Sequence, residues 1–256
     1  MLNSYPPATL FGTHVRKLTS SIVGQEYEIL VWLPPGYAES EAAYPVVYML
    51  DASLSFGMTV CATLPLIWGD DVPAFIIVGI GYTAHSFDDI GGYRDRDFTP
   101  SALADVPEAG GADKFLAFIE TELTPFVNSN YRVDPLNQNI WGYSLAGVFV
   151  LYALLQKPSL FRGVIAGSPS LRWAKSVIFP LEEKFSESHT ALPVYLFLSI
   201  GSEEGEVVEV VETFSRILAS RNYDGLLLRA EVFSNEGHTS SVARSYVSGL
   251  RTIFKA

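Results

Sequence analysis

Ser144, an acid near Glu204 and His238 have the residue types and the chain order that nucleophilic acyl chemistry needs. A serine hydroxyl attacks a carbonyl carbon poorly until a base removes its proton. Histidine does this best when a carboxylate fixes its ring tautomer and stabilises the imidazolium that forms. Ser144 lies in Asn139-Ile140-Trp141-Gly142-Tyr143-Ser144-Leu145-Ala146-Gly147, where an apolar strand runs into a small-residue turn and then a helix. This is the context of a nucleophile elbow, whose flanking positions two residues either side of the serine must be small because backbones crowd there. Gly142 meets that need, and Ala146, where glycine is usual, still keeps the side chain small. The plain alternative for Ser144 is a packed small residue at a strand end.

His238 follows the last predicted strand and is the expected base; its plain alternative is a polar residue opening a helix. The other histidines fit less well, with His14 in an edge strand, His85 in a long loop and His189 in a segment of mixed pattern. For the acid, Glu204 stands three residues past Gly201, in a Gly-x-x-acid turn after the penultimate strand. Glu203 and Glu206 lie close by, so a solvated acidic loop is the competing reading.

Those residues come together only if the right elements carry them. Leu10 to Thr19 and Gln25 to Leu33 alternate apolar and polar residues around Val23-Gly24, which predicts two antiparallel strands forming one edge of a sheet. Short apolar runs at 45–50, 74–80 and 194–200 predict strands buried on both faces, 163–167 predicts another strand and Leu226 to Phe233 the last one, and a helical stretch near Phe56 to Ile67 makes the first two a parallel βαβ unit. Residues 81–111 read as a long loop rich in glycine, aspartate and proline, of the kind that often serves function. Helical spacing recurs from Ala112 to Asn128, after Ser144 as far as Pro158, from about Val207 to Arg221, and in a closing helix opened by Asn235-Glu236-Gly237-His238. The fold class is α/β, with a mostly parallel central sheet, antiparallel N-terminal edge strands and helices on both faces. In such a sheet the loops at the carboxyl ends of the strands converge on one edge, which joins Ser144, Glu204 and His238.

At 256 residues the chain suits one domain, 1–256, with residues 171–191 as a small lid segment that contains Trp173. Its hydrophobic content of 48 % excludes a disordered chain, and no apolar run approaches the roughly 20 residues of a membrane helix. A net charge of −11 opposes nonspecific binding to nucleic acid or anionic membrane, so the expected partner is a small molecule, an ester if the serine chemistry holds. No metal-spaced cluster or phosphate-binding loop is seen, so no cofactor is expected. Met1 to Pro7 lack the features of a secretory signal, which makes the cytoplasm the default location. The single cysteine, Cys61, reads as buried packing.

Four ordered motifs carry a family resemblance. They are Tyr44-Pro45-Val46-Val47-Tyr48-Met49-Leu50-Asp51, Arg94-Asp95-Arg96-Asp97-Phe98-Thr99-Pro100, Gly142-Tyr143-Ser144-Leu145-Ala146-Gly147 and Ser168-Pro169-Ser170. Together they resemble the putative esterase family of α/β-hydrolases, which includes esterase D and the enterobactin-type siderophore esterases. The order Ser, acid, His agrees with that fold. The resemblance implies serine esterase activity on carboxylic esters and an oxyanion hole formed by the backbone N–H groups of Leu145 and Ala52. It also implies Arg94 as a substrate-binding residue, against the alternative of an ion pair with Asp97 that braces its loop. Some siderophore esterases work with a serine and histidine and no well-placed acid, which leaves a Ser-His dyad open. Tyr143 and Trp173 are further substrate-binding candidates, and Trp68, Tyr82, Tyr93 and Phe87 complete an aromatic set that could line a pocket. The alternatives are transfer of the acyl group to an alcohol or amine, and a catalytically silent binding module on the same fold.

Overall fold

The computed structural model describes residues 9–84 and 86–254. Thr13–Thr19 (β1) and Glu26–Trp32 (β2) pair antiparallel in a single register, and Gly24 between them takes φ +77°, a value open to glycine. Tyr44–Met49 (β3), Ile76–Tyr82 (β4), Val133–Tyr143 (β5), Gly163–Gly167 (β6), Tyr195–Gly201 (β7) and Leu227–Phe233 (β8) complete one eight-stranded sheet in the order β1-β2-β4-β3-β5-β6-β7-β8. β2 meets β4 antiparallel, and all pairings from β4 through β8 are parallel. The expected class, a mostly parallel sheet with an antiparallel N-terminal edge, is the one observed.

Side chains alternate across a strand, so each strand feeds two cores. On one face Val47, Met49, Trp141, Ile165 and Phe197 pack with the helices Ala52–Trp68 (α1) and Val242–Phe254 (α8). On the other, Val46, Tyr48, Ile140, Val164 and Leu196 pack with the remaining layer of helices. That layer includes Phe87–Phe98 (α2), Ala112–Phe118 (α3), Thr124–Asn130 (α4), Leu145–Gln156 (α5), Ile178–Ser186 (α6) and Val207–Arg221 (α7). A π turn, Ile119–Leu123, joins α3 to α4 within the predicted helix.

Five expectations change. The long loop contains α2, although Gly91 and Gly92 lower its intrinsic propensity; the Ser86 hydroxyl caps it by accepting from the Asp89 N–H at 3.1 Å, and its last residue, Phe98, is buried against Phe149 of α5. α5, whose spacing puts Val148, Phe149, Tyr152 and Leu155 along one stripe, is instead buried on almost every side, because β5 and β6 lie under it and α2 and α6 flank it. The closing helix begins at Val242, which leaves His238 in the loop before it. Cys61 is exposed on the outer face of α1, where it borders an apolar groove with Phe11 and Trp68. Residues 171–191 are mostly a packed element, since Leu171, Ile178 and Phe185 are buried in the larger core. Among the described residues no helix is long and apolar enough to cross a membrane, and Met1 to Pro7 lie outside them.

Candidate active site

β5 delivers Ser144 into a turn that only crowding explains. The residue takes φ 62°, ψ −119°, a strained conformation for a side chain with a Cβ, and its N–H is held by Gly167 O at 2.9 Å. Strain of this kind costs about 1–3 kcal/mol and persists where the surroundings enforce it. Gly142 makes the turn feasible, since a Cβ there would lie 2.3 Å from Ala146 O. Ala146 is fully buried, so a small residue suffices at the second flank.

The Ser144 Oγ lies 3.0 Å from His238 Nε2, and His238 Nδ1 lies 2.6 Å from Glu204 Oε2. The other carboxylate oxygen of Glu204 accepts from Ser168 Oγ at 2.7 Å and from the Gly201 N–H at 2.8 Å. The histidine side chain is half exposed while that of Glu204 is 5 % exposed, so the carboxylate is held inside the protein and the imidazole is open to solvent. The loop that carries His238 is zipped to the acid turn: Glu203 N–H donates to Glu236 O at 2.9 Å and Ser202 N–H to Phe233 O at 2.9 Å. Gly201 permits this approach, because a Cβ would stand 2.3 Å from Glu236 O. Glu203 is exposed, and Glu206 reaches Arg172 at 2.9 Å instead. Of the acids after β7, Glu204 is therefore the one at His238. His14 and His189 stand elsewhere, on β1 and against Phe185, and His85 lies outside the described residues.

Leu145 and Ala52 are the first residues of α5 and α1, and first-turn N–H groups lack partners inside their own helix. Both are buried, at the carboxyl ends of adjacent strands β5 and β3. A groove of 660 Å³ opens at the first turn of α1, lined by Ala52, Ser53, Phe56, Tyr82, Ser86 and Ile90 among others.

Arg94 does not brace its loop through Asp97. Asp97 is taken by Arg96, at 2.7 Å to its Nε, and by the Tyr27 hydroxyl at 2.8 Å. Arg94 Nε instead donates to Asp51 Oδ1 at 2.8 Å, tying α2 to the residue before Ala52. Asp51 takes the left-handed conformation, φ 55°, at the start of α1. Burial pushes its pKa above the ordinary 3.8, and Arg94 restrains that rise. An acid raised in this way weakens the fold as pH climbs from its unfolded pKa through its folded one. Arg94→Ala should therefore lose roughly 2–3 kcal/mol at pH 8, less than for a fully buried pair, and the deficit should shrink toward pH 4 as Asp51 takes a proton. Urea unfolding at both pH values checks this; a deficit independent of pH would contradict it.

Tyr143 is a correction. It is buried, and its hydroxyl contacts Ser168 Oγ at 2.7 Å, His238 O at 2.5 Å and Ser241 Oγ at 2.7 Å, which commits its one proton inside the protein rather than to a substrate. Trp173 is half-buried four residues after Pro169, in a short turn with left-handed Ala174, Lys175 and Ser176. Of the aromatic set, Tyr82 lines the groove and Tyr93 packs on it at 5.2 Å, whereas Trp68 is exposed at the far end of α1. The Phe87 side chain lies outside the described part of the structure. Two serines escaped the residue-level reading. Ser168, buried at φ 35°, holds Glu204, and Ser170 Oγ lies 3.3 Å from Ser144 Oγ. Their signal was present: small polar residues directly after apolar β6, the neighbour of the Ser144 strand.

Residues 20–222 match the family described as Esterase (Putative esterase). The matched span includes Arg94, Ser144 and Glu204 and ends before His238. Ferri-bacillibactin esterase BesA of Bacillus subtilis is 36 % identical over 91 % of this chain and 86 % of its own. The chain belongs to this esterase family. The esterase is also 32 % identical to the siderophore enterobactin esterase of Emericella nidulans, over 73 % of this chain and 68 % of the relative. Its fold superposes on the BES protein from Bacillus cereus with a TM-score of 0.88 and 30 % identity, covering 98 % and 99 % of the two chains. An IroE-like serine hydrolase from Shewanella oneidensis follows at 0.85 and 27 %, covering 95 % and 80 %. This chain is thus an esterase with the α/β-hydrolase architecture.

Proposed function

We propose that this esterase cleaves siderophore-type carboxylic esters through an acyl-enzyme on Ser144. The observation that carries the site assignment is the continuous chain from Ser144 Oγ to His238 Nε2 at 3.0 Å and from His238 Nδ1 to Glu204 Oε2 at 2.6 Å. The carboxylate accepts from Nδ1–H, which leaves Nε2 unprotonated and able to take the serine proton. Ser144 Oγ then bonds to the ester carbonyl carbon as its proton passes to Nε2. The oxyanion lies toward the Leu145 and Ala52 N–H groups, and Ser170, 3.3 Å from Ser144 Oγ, orients the serine oxygen. Collapse breaks the ester C–O bond, and the alcohol leaves with the proton from Nε2. A water deprotonated at Nε2 attacks the acyl-serine, releases the acid and restores Ser144. The half-exposed His238 gives water ready access, which favours hydrolysis over transfer to another acceptor.

Substrate class rests on the relatives' named substrates and on the groove beside Ala52, whose 660 Å³ suits a bulky ligand. Arg94, held through Nε by Asp51, would present its outer nitrogens to an anionic or catechol oxygen. Such local recognition is needed, since a chain of net charge −11 gives no long-range pull on an anionic ferric complex. A catecholate trilactone, with and without iron, assayed beside p-nitrophenyl esters of rising chain length, tests the proposal. It predicts a kcat/KM for the trilactone at least about tenfold above the best simple ester. Equal or better turnover of short acyl esters would replace it with a general small-ester function.

A further inference from the structure

We infer that the Tyr143 hydroxyl is a positioning group that locks the acid and the base of the site to each other, an inference that rests on the Ser144, His238, Glu204 assignment. Counting protons shows why. The Glu204 carboxylate and the His238 carbonyl only accept, so Ser168 spends its proton on Glu204 and can only accept from Tyr143. Tyr143 has one proton for two acceptors, Ser168 Oγ at 2.7 Å and His238 O at 2.5 Å. Ser241 Oγ, at 2.7 Å, supplies a donor to the phenol oxygen or turns to Gly237 O at 3.0 Å.

One phenol therefore touches the backbone of the base directly and the acid through a single serine, from the position just before the nucleophile. Burial pushes the phenol pKa up, which keeps that proton in place across the working range. The ring backs this up by packing against the imidazole, with centroids 5.3 Å apart. Gly167 leaves room for the ring, since a Cβ there would lie 2.5 Å from Tyr143 Cδ2. In this arrangement the proton can shift between bracing the histidine loop and bracing Glu204 without any side chain moving.

The test is Tyr143→Phe, with Tyr246→Phe as a control. Tyr246 is more deeply buried, and its hydroxyl contacts Thr63 at 2.8 Å, away from His238. Tyr143→Phe should lower kcat on a p-nitrophenyl ester by roughly tenfold to a hundredfold with KM nearly unchanged. It should also move the His238 Nδ1 resonance in imidazole nitrogen NMR, while Tyr246→Phe leaves both readings at wild-type values. Should Tyr143→Phe fold poorly, Ser241→Ala removes one partner of the phenol without touching Glu204 and is expected to shift the same resonance, and an unmoved resonance in that variant would count against the inference. A folded Tyr143→Phe with unchanged kcat and an unmoved resonance would overturn the inference, as would a rise in KM alone, which marks a substrate contact. Failure of the underlying site assignment would look different, because Ser144→Ala would then retain activity.

Discussion

Glu204→Gln is expected to lower kcat by about 10³–10⁴-fold with little change in KM. The reason lies in how the two carboxylate oxygens are used. Oε1 accepts from the Gly201 N–H at 2.8 Å and from Ser168 at 2.7 Å, and the backbone donor cannot rotate away. The glutamine carbonyl must take that side, so the NH₂ faces His238 Nδ1. A donor there drives the imidazole proton to Nε2, the nitrogen facing Ser144, and the base can no longer accept the serine proton. The fold should survive, since the amide nearly matches the carboxylate in size. Steady-state kinetics on a p-nitrophenyl ester with imidazole nitrogen NMR reads both halves of the argument. A loss of less than about tenfold would mean that serine and histidine suffice as a dyad.

Gly142→Ala should damage stability and activity together. The new Cβ would meet Ala146 O at 2.3 Å, Ala146 C at 2.6 Å and Val150 Cγ1 at 3.0 Å. Two of these atoms are backbone of the first turn of α5, and that helix is buried on nearly every side, so it has nowhere to slide. Overpacking of this kind costs about 1–3 kcal/mol, which for a chain of this size lowers Tm by roughly 3–10 °C. Whatever movement relieves the clash also displaces Ser144 from its 3.0 Å contact with His238, and kcat should fall about a hundredfold. Thermal melts and kinetics on the same preparation check it. A variant with unchanged Tm and activity would show that the close approach in the elbow is not required.

What could be read from the chain was what neighbours in sequence determine. β6 and α7 fall on their predicted residues, the antiparallel edge and parallel centre follow from the run lengths, and Ser144, Glu204 and His238 meet as the strand-end rule requires. What depends on distant partners was not legible. α2 forms in a glycine- and aspartate-rich stretch because Ser86 caps it and Phe98 finds a buried site against Phe149. Arg94 sits three residues from Asp97, yet the fold gives it Asp51, across 43 positions, while neighbouring Arg96 takes Asp97. Tyr143 beside the nucleophile reads as a substrate contact until β5 is seen to turn its ring under the histidine loop. Cys61 reads as core because its neighbours are apolar, but those neighbours line an open groove.

The most direct test of the account is where a fluorophosphonate attaches. Intact mass and peptide mapping should find one adduct, on Ser144, formed at a rate that falls sharply in His238→Ala, and none in Ser144→Ala. Ser170 Oγ lies only 3.3 Å from Ser144 Oγ, which makes the assignment demanding. An adduct on Ser170 or any other serine, or full ester hydrolysis by Ser144→Ala, would contradict the account.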